Sequence, residues 1–90
     1  MQSAHSEGEN TQANGKASHA EGYNSKAIGL YSHAEGVSTV ANGDYQHVQG
    51  KFNAQDNTSA FIIGNGTADN DKSRSNAMTV DWSGNVKIAG

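Results

Sequence analysis

Ninety residues with a formal net charge of −3, no cysteine and no proline make at most one small domain, and they exclude a disulfide framework or a thiolate metal site. Only 33% of the residues are hydrophobic and the mean hydropathy is −0.75, so a conventional single-chain core is out of reach and association of chains is the expected source of stability. The mild acidity gives no electrostatic footprint for nucleic acid, and no apolar run is long enough to span a bilayer, so neither partner is expected. Low hydrophobicity also fits disorder, but a strict sequence period needs a structural cause.

That period dominates residues 3–50, within a first unit read as 1–50. Ser18-His19-Ala20-Glu21-Gly22 returns word for word at Ser32-His33-Ala34-Glu35-Gly36, and Ser25-Lys26-Ala27-Ile28-Gly29 stands between them as a half-copy. Extending the frame places Gly8, Gly15, Gly22, Gly29, Gly36, Gly43 and Gly50 seven residues apart. Two residues before these stand Ser6, Ala13, Ala20, Ala27, Ala34, Ala41 and Val48. All four histidines, His5, His19, His33 and His47, share one register of a fourteen-residue period. Repetition of this kind marks a stacked architecture. Met1 enters in mid-repeat, which suggests a piece of a longer parent.

Within each leg the side chains alternate. Ser and Ala point one way into a narrow interior, while His and Glu point the other. About five extended residues followed by a two-residue turn at glycine, taken twice, make one flattened coil of fourteen residues. Coils stacked at strand spacing rise on the order of 17 Å over the repeat region. An all-β parallel β-roll is predicted. Its outer faces differ: His5/Glu7, His19/Glu21, His33/Glu35 and His47/Gln49 are nearly constant, whereas Gln12/Asn14, Lys26/Ile28 and Val40/Asn42 vary. Constancy from coil to coil implies a repeated environment, so the His/Glu face is assigned to contact with a partner chain.

These Ala-x-Gly heptads resemble the head repeats of trimeric autotransporter adhesins. The SHAEG legs are similar to repeat arrays in tail-fibre and neck-appendage proteins of bacteriophages. The resemblance implies a left-handed parallel β-roll that assembles as a homotrimer, with one leg of each coil facing the threefold axis. It also implies a virion location, or alternatively the bacterial cell surface, and a structural and adhesive role in host attachment rather than enzymatic activity.

Residues 51–66 let the repeat decay. Ala60-Phe61-Ile62-Ile63-Gly64 is the most apolar leg, placing Phe61 at the histidine position and Ile63 at the glutamate position. It reads as a plug at the trimer interface, followed by an Asn65-Gly66 turn signal. In the last unit, 67–90, a polar loop over 67–76 leads to a hairpin with strands 77–82 and 86–90 around Ser83-Gly84-Asn85, in which Met78, Val80 and Trp82 alternate with polar residues. The stretch also resembles the segment that precedes a self-cleaving chaperone in phage fibres; the chaperone itself is not in this sequence.

The histidines are the sharpest chemical feature. Rings of His from three chains would suit a transition metal, with His19, His33 and His47 on the threefold axis. The preferred reading pairs each His with a Glu of the neighbouring chain through charge-assisted hydrogen bonds, so no cofactor is expected. Such pairing predicts histidines with raised pKa, contributing stability at low pH that is lost as pH rises. Asp69-Asn70-Asp71 lacks the spaced carboxylates of a calcium loop and reads as a solvated turn. Tyr23, Tyr31 and Tyr45 sit beside the glycines as corner aromatics, suited either to a host receptor or glycan or to capping the coil edges and covering neighbouring chains.

Overall fold

The computed structural model describes residues 3–89; Gly90, assigned above to the second hairpin strand, lies outside them. The chain is all-β. Four long strands, β1 (His5–Glu9), β3 (His19–Tyr23), β5 (His33–Val37) and β7 (His47–Lys51), alternate with three short ones, β2 (Gln12–Ala13), β4 (Lys26–Ala27) and β6 (Val40–Ala41). The long strands pair in parallel with no slip, His5 on His19, His19 on His33 and His33 on His47. The short strands form their own parallel sheet, Ala13 on Ala27 and Ala27 on Ala41. The result is a β-solenoid of stacked fourteen-residue coils, in a slab with extents of 38 × 29 × 15 Å. The legs are unequal, however: the variable leg holds strand geometry for only two residues.

The interior is narrow. Ala20, Ala34, Val48 and Ile62, stacked on the long-strand sheet, and Ala27 and Ala41, stacked on the short-strand sheet, are fully buried in one cluster. The serines beside them satisfy the corners: Ser18 Oγ donates to Gly15 O at 2.6 Å and Ser32 Oγ to Gly29 O at 2.7 Å. A purely apolar residue there would remove the shorter hydrogen bond to Gly15 O, which Ser18 N also reaches at 3.2 Å, and the hydroxyl donation to Gly29 O.

The glycines divide into two kinds, which the sequence did not distinguish. Gly15, Gly29 and Gly43 stand at corners as expected, but Gly8, Gly22, Gly36 and Gly50 lie one residue inside the ends of the long strands. A Cβ on Gly22 would overlap the carbonyl oxygen of Gly36 in the next coil, and its φ of 105° suits glycine alone. The left-handed corner position falls two residues later, on non-glycines: Asn10, Ala17, Asn24, Tyr31, Ser38, Tyr45 and Phe52 have φ between 43° and 63°. Their N–H groups continue the ladder around the bend, as in Asn24 N to Glu9 O at 2.9 Å and Tyr45 N to Leu30 O at 2.8 Å.

The last coil opens into β8 (Ser59–Asn65), which pairs in parallel with β7 and sets Phe61 on His47 and Ile63 on Gln49. The chain then reverses. β9 (Asn76–Asp81) adds antiparallel to β8, and β10 (Val86–Ile88) pairs with β9 as the predicted hairpin. One seven-stranded sheet therefore runs β1-β3-β5-β7-β8-β9-β10. Trp82 departs from the reading that aligned it with Met78 and Val80. It follows the end of β9 and meets Tyr45 edge-on, with ring centroids 6.3 Å apart.

Candidate functional site: a histidine–glutamate column

Because the period is matched to the coil, like residues stack on like. His19, His33 and His47 form a near-parallel pile with ring centroids 4.6 Å apart and planes within 7°; His5 continues it at 4.6 Å with a 35° tilt. The column ends where Phe61 meets His47 edge-on at 5.5 Å.

The glutamates brace this pile from within the same chain. Nε2 of His5, His19 and His33 lies 2.6, 2.9 and 3.1 Å from Oε1 of Glu7, Glu21 and Glu35. Two carboxylates also reach the next coil: Glu21 lies 3.5 Å from His33 and Glu35 lies 3.3 Å from His47. His47, whose own leg carries Gln49, therefore relies on Glu35. The sequence reading sought the glutamate on a neighbouring chain. Within one strand the two side chains lean together, and the expected partner is already at hand.

The pairing is electrostatic more than directional. Only His5 makes a well-directed hydrogen bond, to Glu7 at 2.6 Å. Nε2 of His19, His33 and His47 is shielded from solvent and has no aligned acceptor, although the rings themselves stay roughly one-third exposed, 33% for His33. Burial, followed by the neighbouring His47 and His19, lowers the pKa of His33, outweighing Glu35 and Glu21, which raise it. In the single chain the His33 pKa is therefore lowered rather than raised, because desolvation, followed by the like-charged neighbours, outweighs the carboxylates.

Three His–Glu–His groups bring their ligand atoms within 4.8 Å of one another: His5/Glu7/His19, His19/Glu21/His33 and His33/Glu35/His47. These residues could hold a transition metal between coils. Parallel rings, however, aim their in-plane lone pairs along parallel lines that do not converge, so shared ligation at the usual 2.0–2.1 Å would require one ring to leave the stack. The arrangement suits a proton-linked polar ladder better than a metal string.

Elsewhere, Asp69 is engaged by Arg74 at 2.7 Å and Asn70 Oδ1 accepts from Ser73 N at 2.9 Å, in keeping with a turn rather than a calcium loop. The three tyrosines separate. Tyr23 closes β3, whereas Tyr31 and Tyr45 stack at one corner with centroids 5.6 Å apart. Sequence reasoning missed Trp82 as their neighbour, because alternation assigned it to the sheet face. It also missed Gln46 and Asn53, which carry amides where earlier coils carry Ser or Thr; that substitution was the available signal. Comparison with protein-family models, with curated proteins and with solved structures gives no match to this chain.

Proposed function

We propose that this chain is a structural and adhesive module, a homotrimeric segment of a bacteriophage tail fibre or appendage, and that its solenoid is left-handed as the resemblance implies. The observation that carries the reading is a single continuous sheet face. The His/Glu positions continue in register into Phe61 and Ile63, then into Val80 and Met78, and finally into Val86 and Ile88. Val86 and Ile88 are 55% and 72% exposed in the single chain. An apolar strip of this kind on a thin, alanine-lined slab is a surface for association, and the polar column beside it supplies register. The threefold order comes from the resemblance of the repeats.

A bacterial trimeric adhesin head is the second reading, favoured by the Ala-x-Gly heptads with alanine packed inward in every coil. Light scattering coupled to size exclusion at pH 7.5 tests the assembly: a trimer is expected, and a monomer at all concentrations overturns it. Saturable adsorption of the labelled chain to bacterial cells tests the adhesive part.

A further inference from the structure

We infer that the corner formed by Tyr45 and Trp82 is a binding site for a neutral hexopyranose glycan. The site deepens the adhesive reading, on which it rests for its biological setting. Tyr45 and Trp82 are 61% and 57% exposed, meet at 90°, and border a cleft of about 600 Å³ completed by Asn42, Asp44 and Asn57. Tyr31 extends the aromatic surface, stacked within 9° of Tyr45 on the coil before. A platform spanning two coils suits a chain of sugars rather than one.

Two independent features point to a ligand. The first is backbone cost. Tyr31 and Tyr45 hold left-handed φ values of 57° and 63°, a conformation that Asn or Gly adopts more readily than a bulky aromatic. The fold does not require an aromatic there, since Ala17 occupies the equivalent corner with φ 53°. Unfavourable residues held in place cluster at binding sites.

The second feature is the polar inventory. Asn42 Nδ2 donates to Asn57 Oδ1 at 3.3 Å and Asp44 Oδ1 accepts from Leu30 N at 2.9 Å. This arrangement leaves Asn57 Nδ2 as a donor, with Asn42 Oδ1 and Asp44 Oδ2 as acceptors, none engaged by another described residue. Adjacent donors and acceptors beside an aromatic plane match the vicinal hydroxyls and the C–H face of a pyranose. The Asp44 carboxylate disfavours uronic or sialic acids, so the glycan is neutral.

Trp82 is the single tryptophan of the protein, so its fluorescence reports directly on the cleft. The intact chain is titrated with short oligomers of glucose, galactose and N-acetylglucosamine, and with oligogalacturonate. A saturable emission change with at least one neutral series is expected. Tyr45→Asn should weaken that binding at least about tenfold, while melting no lower than the wild type, because asparagine suits the left-handed corner. Tyr23→Ala, at a different edge, should leave affinity unchanged. No saturable response, a response confined to the anionic series, or equal affinity in Tyr45→Asn each overturns the site. Light scattering on the same samples separates the two proposals. A trimer that ignores every glycan removes the cleft alone, and a monomer that binds sugar removes the fibre assembly alone.

Discussion

His33 carries the clearest pH consequence because it is the only histidine in the column flanked on both sides by stacked rings at near-parallel angles. Its folded pKa is lowered, so the folded chain binds fewer protons there than the unfolded one. The associated stability is fully present above the unfolded value of about 6.5 and is lost as pH falls through the depressed folded value. The four histidines face only three carboxylates, Glu7, Glu21 and Glu35, so full protonation also leaves an uncompensated cation. Thermal melting should therefore drop between pH 7.5 and pH 5.5, and His33→Gln should flatten that slope. A melting temperature that rises on acidification would show that the carboxylates dominate after all. The lowered pKa of Asp56, held by hydrogen bonds from Thr58 and Ser59, acts in a separate window below about pH 4. Glycine substitutions test the backbone at the same scale. Gly15 has no positive φ, yet its Cβ would strike the carbonyl of Gly29; Gly84 has φ 90° and open space around it. Gly15→Ala should cost about 3 kcal/mol by separating two coils, whereas Gly84→Ala should cost about 1 kcal/mol of local strain. Urea denaturation of the two variants measures the difference, and a reversed order would mean that coil contact is softer than the geometry indicates.

At the scale of elements, the short-strand sheet β2-β4-β6 has an edge beyond β6 that no further strand covers among the described residues. Unpaired edges invite association with other chains, and this one is closed by side chains that imitate a peptide. Asn53 Oδ1 accepts from Val40 N at 2.8 Å while its Nδ2 donates to Val40 O at 3.1 Å. Asn76 repeats the device on Ala54, accepting from its N–H at 2.8 Å and donating to its carbonyl at 3.0 Å. Arg74 adds donations to Ser38 O and Asn53 O, both at 3.0 Å. Asn53→Ala should thus strip both backbone groups of Val40 at a fully buried site. The expected loss is about 2–4 kcal/mol, read by urea denaturation together with faster amide exchange in β6; unchanged exchange there would reject the edge-cap role. The long strands were legible because their fourteen-residue identity leaves one register in which His meets His and Ala meets Ala. The pairing of the cap was not legible, because its partners are 13 and 22 residues apart; only the amide at Asn53, in the register of Ser25 and Thr39, marked the position. The unequal legs escaped for a related reason: both flavours share the Ser-x-Ala-x-Gly frame, and only the positive φ of Gly22 and its equivalents, invisible in composition, draws strand geometry through one of them.

The whole molecule presents one sheet face whose chemistry changes along its length. Its first half is the His/Glu column and its second half is apolar, from Phe61 to Ile88, joined by the edge-on contact of His47 with Phe61. The sequence revealed both halves, but not that the antiparallel addition of β9 and β10 would align them in one plane. The hairpin is held to that plane by its turn, where Asp81 Oδ1 accepts from Ser83 N and Asn85 N, each at 2.9 Å. Assembly through this face would divide the work between the halves. Burying Val86 and Ile88 supplies roughly 25 cal/mol for each Å² of apolar surface removed from water, whereas the polar column offers register with little net gain once desolvation is counted. The two halves should then respond differently to substitution. Ile88→Asp, on a strand end where the lone chain tolerates charge, should abolish the proposed trimer at micromolar concentration without unfolding the solenoid, as read by light scattering alongside circular dichroism. His19→Gln should leave the trimer intact at neutral pH. If instead His19→Gln yields monomer while Ile88→Asp remains trimeric, the column is the adhesive half and the hairpin only an ornament of the lone chain.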